Sequence, residues 1–500
     1  MSGVDDIVMT AALWHQLRSH LLGSDDNTQR GNEQLAFVLA SHNITKWGTR
    51  LLANELLLAR EIDLTHQSPG GIAPKGEFVA RALTRCRQEG WSLIEVHSHP
   101  FDSSGYTTFS GIDWENDRRK MPSVASMLPH PFFHVTMVVG QNALDAHYYE
   151  RETGAILPLG RLVVVGTNDG GHSDALQYLP FTTSGSLDSF TPDVRHERQI
   201  PLIGAQTQEA LSKAVVAVVG LGGLGSFVAL GLAYLGVGRL VLIDHDCVEP
   251  TNLNRLIGAQ ESDIGRPKVE VFVDLINRVS PMVEVSAVHA PLLASEALDE
   301  AKGVDLLLGC VDSNGARLAL NHLAIRYLIP YLDAGTGVRL GEDSVPSSVG
   351  GQVQLVAPGV GCLECRGFIN PRRAAFDLAT PEMQEYERSH GYGTQETAPS
   401  VVFLNGVIAS MQVAEAVRLL TASWGGGEGG PRMVLYDART QRAFTARSGY
   451  SGECATCGLD GVSGVADLAP LQAATSSTRF VSHYLTSAVG EENAGTVSDK

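Results

Sequence analysis

The sequence predicts an α/β protein of two domains: an N-terminal mixed α/β domain over residues 1–165 and a C-terminal doubly wound, mostly parallel domain over 194–460. Three observations carry this. The chain has 500 residues, too many for one ordinary domain. Apolar strands and amphipathic helices alternate through both halves. Residues 166–193 between them are rich in Gly, Ser, Thr, Asp and Asn, the composition of a linker. Hydrophobic residues at 44% against 18% charged supply surface for large cores. The formal charge of −18 argues against general binding to nucleic acid or an anionic membrane. Seven cysteines exclude a dense disulfide scaffold.

In chain order, Leu13, Leu17 and Leu21 fall four apart, so 7–22 reads as a helix stopped by Gly23. The short apolar run at 35–40 suits a buried strand, and 51–59 reads as another strand. Residues 77–88 place Phe78, Ala82, Leu83 and Cys86 on one helical face, with Gly90 beyond. Strands follow at 92–97 and 132–139. In the second half, strands are expected at 215–219, 240–243, 304–308 and 433–436, and helices at 226–235 and 268–279. Residues 214–238 carry no charge and are long enough to span a bilayer, but seven of them are glycine. Four of those fall within six residues, which suits strand, turn and helix instead. No basic, apolar leader opens the chain, so a cytoplasmic protein is expected. Residues 461–500 read as a loosely ordered tail.

Gly220, Gly222 and Gly225 form G-x-G-x-x-G between a strand and a helix. Such a turn lets backbone approach phosphate, and the helix start offers free N–H groups. Asp244 ends the next strand, where an acid can accept from ribose hydroxyls. Alone, this fits a nicotinamide dehydrogenase equally well. Asn252, Arg255 and Lys268 add an amide and two cations, which a triphosphate needs more than a dinucleotide does. Asp312 lies just past a strand end, where a carboxylate can hold Mg²⁺.

Cys362-x-x-Cys365 and Cys454-x-x-Cys457 can supply four thiolates to a structural zinc; two disulfides or a redox pair are the alternatives. In the first half, His97 and His99 stand two apart on a strand and so share a face. With Asp113 they make a three-ligand set that leaves a fourth zinc position open for water, the arrangement of a catalytic zinc. Glu33, just before the strand at 35–40, is the candidate general base. His130, His134 and His147 lack partner spacing and read as structural.

Residues of about 195–460 resemble the ThiF/MoeB-type adenylating domain, which is related to ubiquitin-activating enzymes and is Rossmann-like. The matching segments are HERQIPLIG, GLGGLGS (which includes Gly223), D-x-D-x-V-x-x-x-N-L-N-R, G-x-P-K and V-D-S-N-x-x-R. The resemblance implies ATP- and Mg²⁺-dependent adenylation of the C-terminal glycine of a ubiquitin-like protein. It further implies that Asp244 holds ribose, that Asn252, Arg255 and Lys268 hold phosphates, and that Asp312 holds Mg²⁺. Arg198 would reach the phosphates of a neighbouring subunit, implying a homodimer. Many family members carry a nucleophilic cysteine in the loop at about 367–400. This chain has none there, and the expected position falls near Gln395. Thr394, Thr397 or Ser400 would form an ester in its place, or the adenylate passes directly to a partner. Of the remaining cysteines, Cys86 and Cys310 read as core, and Cys247 lies nearest the nucleotide.

Residues of about 1–160 resemble the JAB/JAMM (MPN+) metallopeptidases through Glu33, H-S-H-P and S-x-x-D. By that resemblance Ser110 would stabilise an oxyanion. The family's usual gap between the second histidine and the aspartate is ten residues, whereas thirteen separate His99 from Asp113, as an insertion in FDSSGYTTF would give. The fusion points to a bifunctional enzyme of a bacterial ubiquitin-like pathway, with a conjugating-enzyme partner conceivable. A sulfur-carrier activator and processor is the alternative, and a non-catalytic scaffold for ubiquitin-like proteins is a reading of another class. Neither nucleic acid nor membrane is expected as a partner.

Overall fold

In the computed structural model the apolar runs of each half pair into one large sheet. The described residues are 3–23, 31–103, 105–167, 175–184, 190–340, 346–389, 399–421, 433–446, 449–458, 460–468 and 471, with backbone alone at 339, 340, 346, 347 and 388. The chain divides into two compact units. The first comprises Met1–Phe190 with Arg326–Leu328 and Val462–Pro470; the second is the remainder.

The first unit contains strands β1 (Val4–Thr10), β2 (Leu35–Thr45), β3 (Gly48–Leu58), β4 (Leu64–Ser68), β5 (Gly71–Pro74), β6 (Ser92–Ser98), β7 (His134–Val139), β8 (Leu144–Tyr149), β9 (Ile156–Pro158), β10 (Arg161–Val165) and β11 (Leu176–Pro180). Helices α1 (Ala11–Leu22), α2 (Gly76–Glu89) and α3 (Gly111–Met127) cover it. Nine strands run in the order β11-β10-β1-β3-β2-β6-β7-β8-β9, and β4 and β5 form a separate hairpin. Strand β2 shows why residues 35–40 are continuously apolar: both faces of this stretch are buried. Ala36, Val38 and Ala40 join Leu17 and Leu21 of α1 in one core, while Leu35, Phe37 and Leu39 meet Phe78 and Ala82 of α2 and Val124 of α3 in the other.

Three sequence expectations need correction. Residues 7–10 are strand, not helix: Ile7, Val8 and Met9 are buried between two parallel neighbours, and Thr10 caps α1 by accepting from the Leu13 amide at 3.3 Å. Leucine spacing alone could not locate that junction. The linker expected at 166–193 contains β11, which pairs antiparallel with β10, so the sheet continues past residue 165. The tail expected at 461–500 begins with a docked segment. Ser41 Oγ donates to the Gly464 carbonyl at 2.6 Å, and Asp467 accepts from the Ile44 amide at 3.2 Å. Residues 472–500 lie outside the described set.

The second unit contains β12 (Val215–Val219), β13 (Arg239–Ile243), β14 (Glu284–Val288), β15 (Leu306–Gly309), β16 (Tyr331–Leu340), β17 (Pro346–Val356), β18 (Met433–Asp437) and β19 (Arg442–Ala446). Its helices are α4 (Ile200–Ile203), α5 (Ala205–Lys213), α6 (Gly223–Leu235), α7 (Lys268–Val279), α8 (Ser295–Ala301), α9 (Asn314–Tyr327), α10 (Pro371–Asp377), α11 (Pro381–Ser389) and α12 (Val402–Thr421). The sheet runs β14-β13-β12-β15-β16-β17-β18-β19. Its first five strands are parallel and the last three pairings antiparallel. Residues 214–238 are strand, turn and helix, as the glycine clustering predicts. Among the described residues α12 alone is long and apolar enough to cross a membrane. It packs on α6 and β16, with Leu404, Ile408 and Ala409 buried.

The turn between β12 and α6 has no room for a side chain at Gly220 or Gly225. Gly220 adopts a φ of 88°, and a Cβ there would lie 2.8 Å from the Cys310 carbonyl oxygen. A Cβ on Gly225 would lie 1.9 Å from the Gly220 carbonyl oxygen, whereas one on Gly222 would meet nothing within 4 Å. Gly225→Ala is therefore expected to destabilise the second unit by roughly 2 kcal/mol or more, through overpacking. Gly222→Ala should stay within about 0.5 kcal/mol. Urea unfolding followed by circular dichroism compares the two, and equal midpoints would remove the close-packing account.

Candidate functional site

In the second unit the loops after β12, β13 and β15 gather at the carboxyl ends of parallel strands, where open α/β sheets bind ligands. Asp244 follows β13 directly, and its carboxylate accepts from the Leu221 amide at 2.6 Å and the Asp246 amide at 2.8 Å. The acid thus holds the glycine turn in place. Gly223 opens α6, with the Arg255 side chain 3.2 Å from where a Cβ would stand. Arg255 Nη1 donates to the Thr251 carbonyl at 2.6 Å, which ties the guanidinium to that backbone. Asn252 serves a local purpose: its Oδ1 accepts from the Glu249 amide at 3.2 Å. Lys268 opens α7, is buried, and places Nζ 2.7 Å from Asp246 Oδ2. Burial alone would raise the Asp246 carboxyl, yet the Lys268 bond and charge hold it below the usual range. A phosphate would have to draw Lys268 from this carboxylate. Asp312 is exposed in the loop after β15, next to Val311, whose side chain flanks Gly220. Arg198 is exposed beyond the unit's first turn.

Sequence reasoning missed three residues here. Asp246 partners Lys268. Asn405 of α12 would meet a Cβ on Gly223 at 2.3 Å and donates to Ser400 Oγ at 3.1 Å, so that hydroxyl stands one residue away from the glycine turn. Arg317 forms an ion pair with buried Asp333 at 3.2 Å and lies within the field of the Asp312 charge. Nothing local marks Asn405, because α12 lies 180 residues downstream of the turn in sequence. Thr394, Gln395 and Thr397 fall outside the described residues. Cys310 donates to Gln412 Oε1 at 3.3 Å, and burial pushes its thiol well up; burial also pushes Cys86 up to about 12. Cys247 is exposed.

The four paired cysteines converge. Cys362 and Cys454 Sγ lie 3.7 Å apart, Cys365 and Cys457 Sγ 3.8 Å, and all four sulfurs lie within 4.8 Å of one another. Zinc–sulfur bonds of ~2.3 Å in a tetrahedron place sulfurs ~3.8 Å apart, so the donor set fits zinc. A disulfide needs about 2 Å, and all four cysteines are free. Glu364 sits between the first pair and Thr456 between the second. Thr456 Oγ1 donates to Glu364 Oε2 at 2.6 Å, and Asn321 Nδ2 donates to the same oxygen at 2.8 Å, tying both knuckles to α9.

In the first unit Leu35 pairs with His97, and Ser98 donates to the Gln34 carbonyl at 3.0 Å. This register sets Glu33, two residues before the pairing begins, beside the histidine end of β6. Burial raises the Glu33 carboxyl, against the lowering charges of His97 and His99. His97 Nε2 lies 3.6 Å from Asp113 Oδ1, and His99 Nε2 lies 3.4 Å from Asp113 Oδ2. These contacts are long for hydrogen bonds. They are close to the ~3.3 Å between ligand atoms of a tetrahedral zinc with bonds of ~2.0–2.1 Å. His97 Nε2 is buried without a hydrogen-bond partner among the described residues, as a metal-facing nitrogen would be. Ser110 caps α3: its Oγ accepts from the Asp113 amide at 3.2 Å, and its own amide donates to Asp113 Oδ2 at 2.8 Å. Its hydroxyl orients Asp113, a role that the oxyanion reading did not anticipate.

With this geometry in place the comparisons fall on the second unit. Residues 196–456, more than half of the chain, match the ThiF family. The chain belongs to that family. It is 32% identical over 251 residues to molybdopterin-synthase adenylyltransferase of Escherichia coli K12, covering 49% of this chain and 89% of the relative. It is 31% identical over 232 residues to sulfur carrier protein ThiS adenylyltransferase of the same organism, covering 46% and 81%. Among solved structures, E. coli MccB with MccA-N7isoASN is 22% identical over 53% of this chain and 76% of that one, with a TM-score of 0.44. The family match leaves residues 1–195 outside it.

Removing one thiolate should release one equivalent of zinc. For Cys457→Ser we expect one zinc fewer per chain by atomic absorption and a lower melting midpoint, since metal bound only by the folded state stabilises it. Unchanged zinc content would refute the tetra-cysteine centre.

Proposed function

We propose that the second unit adenylates the C-terminal glycine carboxylate of a sulfur-carrier or ubiquitin-like protein with ATP and Mg²⁺. What carries the reading is one glycine turn, in a chain of the ThiF family, framed by Asp244, Arg255 and the loop bearing Asp312. The relatives named for molybdopterin synthase and for the sulfur carrier ThiS support a carrier-protein substrate. Attack of a carboxylate on the α-phosphorus joins two anions, so cationic screening and in-line placement matter more than a base. The N–H groups of the Gly220–Gly225 turn take phosphate oxygens, Arg255 and Lys268 neutralise charge, Asp244 accepts from ribose and Asp312 holds Mg²⁺. Asn252 completes the phosphate contacts, and Arg198 reaches the site of a second copy in a homodimer. The carboxylate oxygen bonds to the α-phosphorus and pyrophosphate leaves.

For the first unit we propose a zinc peptidase of the JAB/JAMM kind that trims or releases the same class of carrier. His97, His99 and Asp113 would hold the metal, which supplies Lewis-acid activation of water. Glu33 would accept the proton of the attacking water and deliver it to the amine nitrogen as the peptide C–N bond breaks. The buried His97 Nε2, without a hydrogen-bond partner among the described residues, favours this reading. A conjugating-enzyme partner and a cytoplasmic location, where four thiolates stay reduced, complete the proposal.

ATP–pyrophosphate exchange is expected only when a carrier with a free C-terminal glycine is added. Lys268→Ala and Asp312→Ala should each lower exchange by about 10²-fold or more, the scale of losing one preorganised charge contact. Exchange without a carrier, or intact in both variants, would overturn the assignment. Mixing Arg198→Ala with Lys268→Ala protein should restore part of the exchange if Arg198 acts across a dimer; no recovery would confine Arg198 to its own chain. Glu33→Ala should keep its zinc and lose cleavage of a carrier extended beyond its glycine. Retained cleavage would free Glu33 of the base role.

A further inference from the structure

Thirteen residues of chain separate His99 from Asp113, which poses a physical problem. A longer loop leaves the position of Asp113 less determined, yet its carboxylate stands at both histidines. Something other than loop length must set α3. One turn beyond Asp113 lies Asp117, which is 3% exposed. Its Oδ2 accepts from His147 Nε2 at 2.8 Å and from Thr136 Oγ1 at 3.0 Å, and its Oδ1 lies 3.3 Å from Lys120 Nζ. Lys120 continues to Glu95 Oε1 at 2.7 Å.

Strand register shows why these groups meet. Glu95 of β6 pairs with Thr136 of β7, which pairs with His147 of β8. The three therefore form a polar row across the sheet, on the face that carries His97 two residues from Glu95. The opposite face of these strands presents Val96, Met137 and Ala146 to the other core. Aromatic rings fill the space between row and site. Trp114 stacks on His147 at 4.6 Å, Phe109 lies 4.1 Å from His147, and the same Phe109 meets the His97 ring edge-on at 6.0 Å. Hydrogen bonds and charge outweigh the cost of burial and hold the Asp117 carboxyl low, so it stays an anion. A buried anion with three partners has one favourable place.

We propose that Asp117 and His147 form a positioning lock that fixes the first turns of α3 and so delivers Asp113 to His97 and His99, compensating for the longer loop. This rests on the zinc reading of the first unit. Neither residue touches the metal or the substrate; both act through Asp113.

The test measures metal rather than turnover. Full-length protein is titrated with zinc against a chromophoric chelator, and its cobalt spectrum is recorded. Wild type should bind two zinc ions per chain, one at the cysteines and one at the histidines. Asp117→Ala should keep the cysteine-bound zinc and weaken the other about 10- to 100-fold, the range for partners behind metal ligands. The visible bands of cobalt bound to nitrogen and oxygen should broaden or vanish, while its thiolate charge-transfer band stays. Asp117→Asn retains an acceptor for His147 and should recover part of the affinity. Should Asp117→Ala fail to fold, His147→Phe keeps the ring stack, removes the donor and carries the same comparison. Two full-affinity zinc ions with an unchanged cobalt spectrum in a folded variant would overturn the lock and leave the zinc reading intact. A single zinc ion in wild type would overturn the zinc reading, and the lock with it.

Discussion

The second unit depends on a contact that only a hydrogen atom can occupy. Gly225 sits so close to the Gly220 carbonyl that helix α6 begins almost on top of the end of β12. That closeness points the free N–H groups at the helix start over the strand ends. It also sets the Leu221 amide within reach of Asp244 and leaves Gly223 bare beneath Arg255 and Asn405. Substituting any of these neighbours would change a contact, but relaxing the glycine turn would displace them all. Cys310, which packs against Gly220 and Gly225, also contacts Gln412, and Asp333 is buried with Arg317 as its ion-pair partner.

The first unit reaches a comparable result by strand register. Pairing of Leu35 with His97 brings the end of β2 to the end of β6, and Glu33 and the histidines follow from it. A slip of one residue would turn His97 to the other face of the sheet, into the core that holds Val96. The third member of the cluster arrives on a helix. That helix, α3, packs on β7 and β8 and carries Asp113 in its first turn.

The two candidate metal clusters differ in chemical character. Four sulfurs crossed by the Glu364–Thr456 bond make a closed set suited to a structural ion. Two imidazoles and a carboxylate beside a buried glutamate make an open set suited to chemistry.

The sequence by itself determined the α/β class, the glycine turn, the strands at 215–219 and 35–40 and the helix at 268–279, because each rests on local periodicity or on a residue type that only one backbone tolerates. It also singled out the four cysteines and the His97, His99 and Asp113 set, since ligand chemistry restricts residue type and spacing. Tertiary structure alone decided the rest. Residues 7–10 became strand because two neighbours bury them, and residues 176–180 joined the sheet because β10 offered an edge. Asp246 beside Lys268, Asn405 against Gly223 and Asp117 bound to His147 are contacts between residues 22, 182 and 30 positions apart. No local pattern encodes such pairs, because their energy comes from burial and partner geometry that exist only once the sheets have formed.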